Sequence, residues 1–311
     1  MSEIFSITLP IFLTIGLGYL SVQLKVFARG DMRVLGQFVL FFALPALIVR
    51  TFTQRTVAEI FDGRYLLLYA LSSLIVLLAG FVLMRRRMKM PVSAAAISAL
   101  GMAGPNSGYV GYPLLLLMIG PVAGVVLALN MFVENVIVMP LALAMAEAGM
   151  GKGLTPGLLA RHTLGRMVRS PMLIAIAVGL TISLSGLKLP APVARTIDML
   201  AMAAGPIALF VIGGTLHGLS LKGMKTNIGL IVTGKLVVHP LVMAGLLLVL
   251  PISDPVMRQA ALISAAVPML GIFPLLGMRF GQEKLCAAAL LGGTVASFFT
   301  LSALVALLKA S

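Results

Sequence analysis

Gly101-Met-Ala-Gly-Pro-Asn-Ser-Gly-Tyr-Val-Gly-Tyr-Pro113 decides how this chain is read. It interrupts an apolar run, about 93–119, that otherwise has the length of a membrane-spanning helix. Each proline removes a helical N–H and each glycine loosens the backbone. Pro105 and Pro113, with Gly101, Gly104, Gly108 and Gly111 around them, therefore predict a break. An opened backbone is tolerated in hydrocarbon only where protein or a water-filled cavity takes up its polar groups. Asn106 and Ser107 stand at the break, where they can cap a half-helix or meet a solute. Helices broken at mid-membrane point to the binding site of a transporter.

Outside this stretch the composition is also that of a membrane protein. The 311 residues are 60% hydrophobic and 10% charged, with a mean hydropathy of +1.12; soluble chains carry about 25% charged residues. Cys286 is the single cysteine, which rules out an intrachain disulfide and a cysteine-based metal cluster. The histidines, His162, His217 and His239, are scattered and do not suggest a zinc site. The formal charge is +14, but the basic residues lie in short loops between apolar runs. There they set topology and meet anionic lipid heads. Nucleic acid is not an expected partner, because no soluble basic domain exists to carry it.

Working outward gives ten spans, at about 4–22, 35–52, 65–84, 93–119, 121–146, 171–187, 196–219, 228–250, 255–278 and 285–308. The start, Met-Ser-Glu, has no basic segment before its apolar run and reads as a first span rather than a cleaved leader. The fourth span carries the break above. The ninth is interrupted by Pro268, Gly271 and Pro274. Fifteen of the 23 lysines and arginines fall in the odd-numbered loops and seven on the opposite side, with Lys235 inside a span. By the positive-inside rule the odd loops are cytoplasmic and both termini are outside. The interval 147–169, with its glycines and Pro156, reads as a cytoplasmic loop and linker.

The halves resemble each other. Pro105-Asn-Ser-Gly108 and Pro268-Met-Leu-Gly271 both read Pro-x-x-Gly, and Ile-Ser-Ala precedes each, at 97–99 and 263–265. Pro45 and Pro206 fall in the second span of each half. Five spans per half is odd, so the second copy enters the membrane in the opposite sense. The expected fold class is an all-α polytopic membrane protein of ten transmembrane helices in two inverted five-helix repeats, with the fourth and ninth helices broken and crossing. The expected division is 1–147, a linker at 148–168, and 169–311.

The chain resembles the auxin efflux carrier family of bacterial permeases, which includes proteins described as malonate or malate transporters. The resemblance covers nearly the whole chain. It rests on Asn106-Ser-Gly-Tyr-Val-Gly-Tyr-Pro113, on Gly205-Pro-Ile-Ala-Leu-Phe-Val-Ile-Gly213, and on Pro268 with Arg279-Phe-Gly281. More distantly the chain is similar to the bile-acid sodium symporters. The resemblance implies a mobile transport domain of spans three to five and eight to ten, and a scaffold of spans one, two, six and seven. The second break departs from the family pattern: no asparagine lies beside Pro268, so its polar contribution is expected from backbone alone.

The candidate substrate site is the crossing of the breaks: Pro105, Asn106, Ser107, Gly108, Gly111, Pro113, Pro268, Gly271 and Pro274. Half-helix N-termini offer free N–H groups and partial positive charge, which suit a carboxylate. The bland reading of the same residues is helix kinking for packing. Glu134 reads as the only acidic residue well inside a span, and an intramembrane carboxylate points to function. It is expected to pair with Lys235 or to carry a proton; a static ion pair between spans five and eight is the alternative. Asn130 and Asn135 suit interhelical hydrogen bonds. His239, four residues after Lys235 on one helical face, is a candidate relay or a packed neutral histidine. His162 and His217 are expected at the cytoplasmic surface.

Gly229 to Lys235 imitates a phosphate loop, but Leu236 stands where Ser or Thr is required. Gly104 to Gly108 and Gly214 to Gly218 match the Gly-x-x-x-Gly contact pattern, a weak signal in a glycine-rich chain. An intramembrane serine hydrolase would need an activated Ser107, and no base is evident. The expectation is a secondary transporter of the bacterial inner membrane, not an enzyme, moving a small organic anion such as a mono- or dicarboxylate. No cofactor is expected; H+ or Na+ is the candidate coupling ion. The partners are the anion and membrane lipid, with a homodimer as the candidate assembly. A passive facilitator of the same fold and a sodium-coupled symporter are the alternatives.

Overall fold

The computed structural model describes residues 2–54, 62–152, 156–187, 189–219 and 225–310. The described chain is helical, with no strand among the described residues. In order the helices are α1 (Ser2–Gln23), α2 (Arg29–Thr53), α3 (Gly63–Arg86), α4 (Val92–Ala103), α5 (107–119), α6 (123–147) and α7 (Pro156–Arg169). They continue with α8 (Pro171–Ser185), α9 (Ala191–Leu216), α10 (Lys225–Val249), α11 (Pro255–Ala266), α12 (Phe273–Met278) and α13 (Glu283–Ala310). Among the described residues, six stretches are long and apolar enough to cross a membrane: α2, α3, Ser107–Gly151 (α5 with α6), α9, α10 and Glu283–Leu308 within α13. Leu9–Gln23, Val92–Ala103 and Pro171–Ser185 are shorter apolar helices.

Local chemistry explains the helix starts. Pro171 and Pro255 sit in the first helical turn, where a missing N–H costs nothing. Each follows a capping side chain: Ser170 Oγ accepts from Leu173 N at 3.4 Å, and Asp254 Oδ1 from Val256 N at 2.8 Å. Residues 156–169 form a helix, where the sequence reads as loop. Pro156 suits a first turn, and Leu158, Leu159, Ala160 and Leu164 are good helix formers. The glycines that suggested a loop are confined to its start and to Gly165. Of the interval's remaining residues, 153–155 lie outside the described residues, as do Arg55, Lys188 and Lys222 of the charge pattern.

Four one-turn π segments, Val39–Ala43, Ser107–Gly111, Glu134–Val138 and Gly234–Val238, end two residues before a proline, Pro45, Pro113, Pro140 and Pro240. A fifth, Ala148–Lys152, has no proline at that spacing and spans a kink at Met150 and Gly151. Proline lacks the N–H that would bond back and crowds the carbonyl four residues earlier. Widening the preceding turn by one residue relieves both, which keeps the helix continuous through the proline.

The chain divides into two compact units, each discontinuous in sequence. The first comprises Met1–Gly63, Ser107–Met131 and Val168–Gly218. There α1 and α9 pack backbone to backbone: a Cβ on Gly18 would collide with Phe210 O, and one on Gly213 with Ile15 O. Small residues admit this contact, the usual basis of helix association in lipid. The second unit comprises Arg64–Asn106, Phe132–Met167 and Leu219–Ser311. On α3 its buried stripe is Tyr65, Tyr69, Ser72, Val76, Gly80 and Met84, while Leu67, Ile75, Leu78 and Val82 face outward. The 3.6-residue period separates these faces. The units are interleaved along the chain, a division by contact that is distinct from the expected repeats at 1–147 and 169–311.

Candidate functional site

Both predicted breaks are present in the second unit, and they pair. α4 ends at Ala103 and α11 at Ala266, and the chain continues extended, with Gly104 at φ −90° and ψ 106° and Val267 at φ −63° and ψ 151°. Pro105 and Met269 form an antiparallel bridge. Asn106 N donates to Pro268 O at 2.8 Å, and Leu270 N donates to Gly104 O at 3.1 Å. These bonds flank the Pro105–Met269 pair, so Pro105 occupies the non-hydrogen-bonded position of the ladder. Its missing N–H therefore leaves nothing unmade. Pro268 contributes a carbonyl, which proline retains. Backbone groups opened by the breaks thus satisfy each other, as hydrocarbon requires. The space beside α4 is tight: a Cβ at Gly101 would strike the Phe273 ring, and one at Gly104 would press on Leu270 Cδ2 and Leu100 O.

A buried polar cluster occupies the same unit. Tyr69 OH donates to Glu134 Oε1 at 2.7 Å. Lys235 Nζ lies 3.0 Å from His239 Nδ1 and donates to Ala265 O at 2.6 Å. His239 Nε2 faces Ser72 Oγ at 3.4 Å and Ser73 Oγ at 3.5 Å. An ammonium donating to Nδ1 leaves the proton of a neutral ring on Nε2, aimed at those hydroxyls. Lys235 and His239 are fully buried and Glu134 nearly so. Ala265 O lies in the last turn of α11, where carbonyls lack helical partners and carry partial negative charge. Lys235 therefore caps the half-helix immediately before the second break. Tyr65 adds a 3.4 Å contact to Ser264 Oγ and stacks on Tyr69.

The structure separates the expected site residues by unit. Pro105, Asn106, Pro268, Gly271, Pro274, Glu134, Asn135, Lys235 and His239 belong to the second unit. Gly271 lies in the turn before α12, and Pro274 in its first turn. Ser107, Gly108, Gly111 and Pro113 belong to the first. There Gly108 lies against Leu44, Pro113 against Gly205, and Tyr109 OH donates to Gly36 O at 2.9 Å. Asn130, also of the first unit, is buried, and His217 packs edge-on against Tyr19. The His162 side chain lies outside the described residues.

Two readings are refined. The hydrogen bonds of Lys235 go to His239 and Ala265, and Glu134 acts on it electrostatically through space. Glu134 is also not alone: α9 starts at Ala191, which puts Asp198 two turns inside it, bound to Arg50. The sequence reading missed Asp198 by starting that span at Thr196. It also missed Tyr65, Tyr69, Ser72 and Ser73, whose helical spacing was the available signal.

Residues 4–305 match the family model described as "Membrane transport protein". The chain belongs to this family, that of the auxin efflux carriers. It is 32% identical over 311 residues to a Rhizobium meliloti (strain 1021) protein named "Putative malonate transporter", covering 99% of this chain and 97% of that one. It is 28% identical over 218 residues to "Uncharacterized transporter YfdV" of Escherichia coli (strain K12), 67% of each chain. The family and the apolar helices make it an integral membrane transport protein.

Proposed function

We propose that this transporter is a secondary carrier that moves a small mono- or dicarboxylate across the bacterial inner membrane by alternating access. The observation that carries the reading is the pairing of two helix breaks. It brings Asn106 together with the ends of α4 and α11, in the unit that also holds the Glu134–Lys235 cluster. Asn106 supplies a side-chain amide donor suited to a carboxylate. The relative named for malonate supports that substrate class.

Joining α4 with α5 and α11 with α12 as interrupted spans, and leaving α7 aside, gives ten spans in two inverted repeats of five. In that topology both termini are outside and the 148–168 linker is cytoplasmic. The second unit holds most of spans three, eight, nine and ten, and we assign it the moving role. We assign the coupling to a proton on Glu134. Support comes from Lys235: a free cation would seek half-helix carbonyls, and the ammonium already bonds Ala265 O.

Proteoliposome uptake of labelled malonate tests the reading, with imposed proton or sodium gradients and with Asn106→Ala. Proton-driven uptake lost in the variant is expected. Uptake indifferent to every gradient indicates a facilitator, and normal uptake by Asn106→Ala removes the crossing as the site.

A further inference from the structure

Arg50 and Asp198 form an ion pair in the first unit, Nε to Oδ1 at 2.9 Å. It lies within helices long enough to span. Arg50 is three residues from the end of α2, and Asp198 is seven from the start of α9, about 10 Å along it. Each residue thus lies near one end of its helix, and the two side chains are 36% and 42% exposed. A half-exposed charged pair near helix ends suits the aqueous boundary of the spans rather than hydrocarbon.

The surroundings connect this pair to the second half of the broken fourth span. Asp198 and Gly205 are seven residues apart, two turns, on one face of α9. Gly205 faces Pro113. Tyr112, beside Pro113, lies within electrostatic range of the Arg50 guanidinium. The guanidinium meets Asp198 through Nε. Its two Nη groups form the other edge of the fork, the edge that binds a carboxylate through two parallel hydrogen bonds.

The geometry points to Arg50 as a carboxylate-binding entry subsite in the first unit, with Asp198 orienting it by the Nε edge. A permanently charged arginine at a water-facing position draws in anions, and the fork favours a planar carboxylate over a spherical ion. Asp198 keeps the site near neutral when empty, so the anion is passed on rather than trapped. This inference rests on the organic-anion reading above.

The test is the concentration dependence of labelled malonate uptake in proteoliposomes, with thermal unfolding measured on each variant. Arg50→Gln is expected to raise KM about tenfold, as expected for loss of a charge-assisted hydrogen bond, with the maximal rate little changed. Arg50→Lys, which keeps charge but not the fork, is expected to leave KM raised by several-fold. The charge-neutral double variant Arg50→Gln/Asp198→Asn separates binding from helix pairing. A wild-type melting temperature with a raised KM supports the subsite. Wild-type KM in the double variant overturns it and leaves a structural ion pair, with the carrier reading intact. If Arg50→Gln alone fails to fold, the lysine and double variants decide. Wild-type vesicles that take up no carboxylate overturn the carrier reading and the subsite with it.

Discussion

The break at 104–106 carries Asn106 and runs into Ser107, whereas the break at 267–270 carries Val267, Pro268, Met269 and Leu270 and no polar side chain. Their backbones nevertheless do the same work, each giving one N–H and accepting one through a carbonyl. The pairing uses the N–H of Asn106. Pairing is thus a requirement of hydrocarbon that any non-proline donor meets, and the two breaks differ in the side chains they carry.

The comparison can be broken at its backbone. Leu270→Pro removes the donor to Gly104 O and is expected to destabilise by about 3 kcal/mol or more, giving no monodisperse protein in detergent. Asn106→Ala keeps the backbone bond and is expected to leave the melting temperature within a few degrees. Uptake should fall about 10- to 100-fold, equivalent to losing one hydrogen bond to a charged ligand; equal losses of stability and uptake would reduce Asn106 to a packing residue. Lys235→Met leaves Ala265 O and His239 Nδ1 without their donor and is expected to cost about 3 kcal/mol in thermal unfolding. Glu134→Gln should flatten the pH dependence of uptake; unchanged pH dependence with lowered stability would make Glu134 a static partner of Tyr69. Tyr69→Phe, the mildest change, removes the 2.7 Å bond to Glu134 and should cost about 1 kcal/mol while uptake persists.

The π segments show how far sequence reaches. Pro45, Pro113, Pro140 and Pro240 each follow a widened turn by two residues, and two of these turns hold Glu134 and Lys235. Pro10 and Pro206 lie inside helices that do not widen before them, so proline marks the candidate places and packing decides which of them open. The Ile-Ser-Ala repeat was legible as a repeat but not as chemistry: Ser264 meets Tyr65 and Ala265 O meets Lys235, 199 and 30 residues away in sequence. Asp198 was obscured because hydropathy places a span's start where apolar residues begin. The helix begins earlier, at Pro190 and Ala191.

By itself the sequence determined the class of protein, the positions of both breaks and the residues that stand at them. These follow from hydropathy and from what proline and glycine do to a helix, and both act over a few residues. Only the tertiary structure decided that Pro105 lands opposite Met269, that Lys235 bonds Ala265 O rather than Glu134, and that Arg50 and Asp198 meet within their spans. Those outcomes depend on how helices distant in sequence approach. A buried polar group takes whichever partner the packing brings within about 3 Å, and no local pattern encodes that choice.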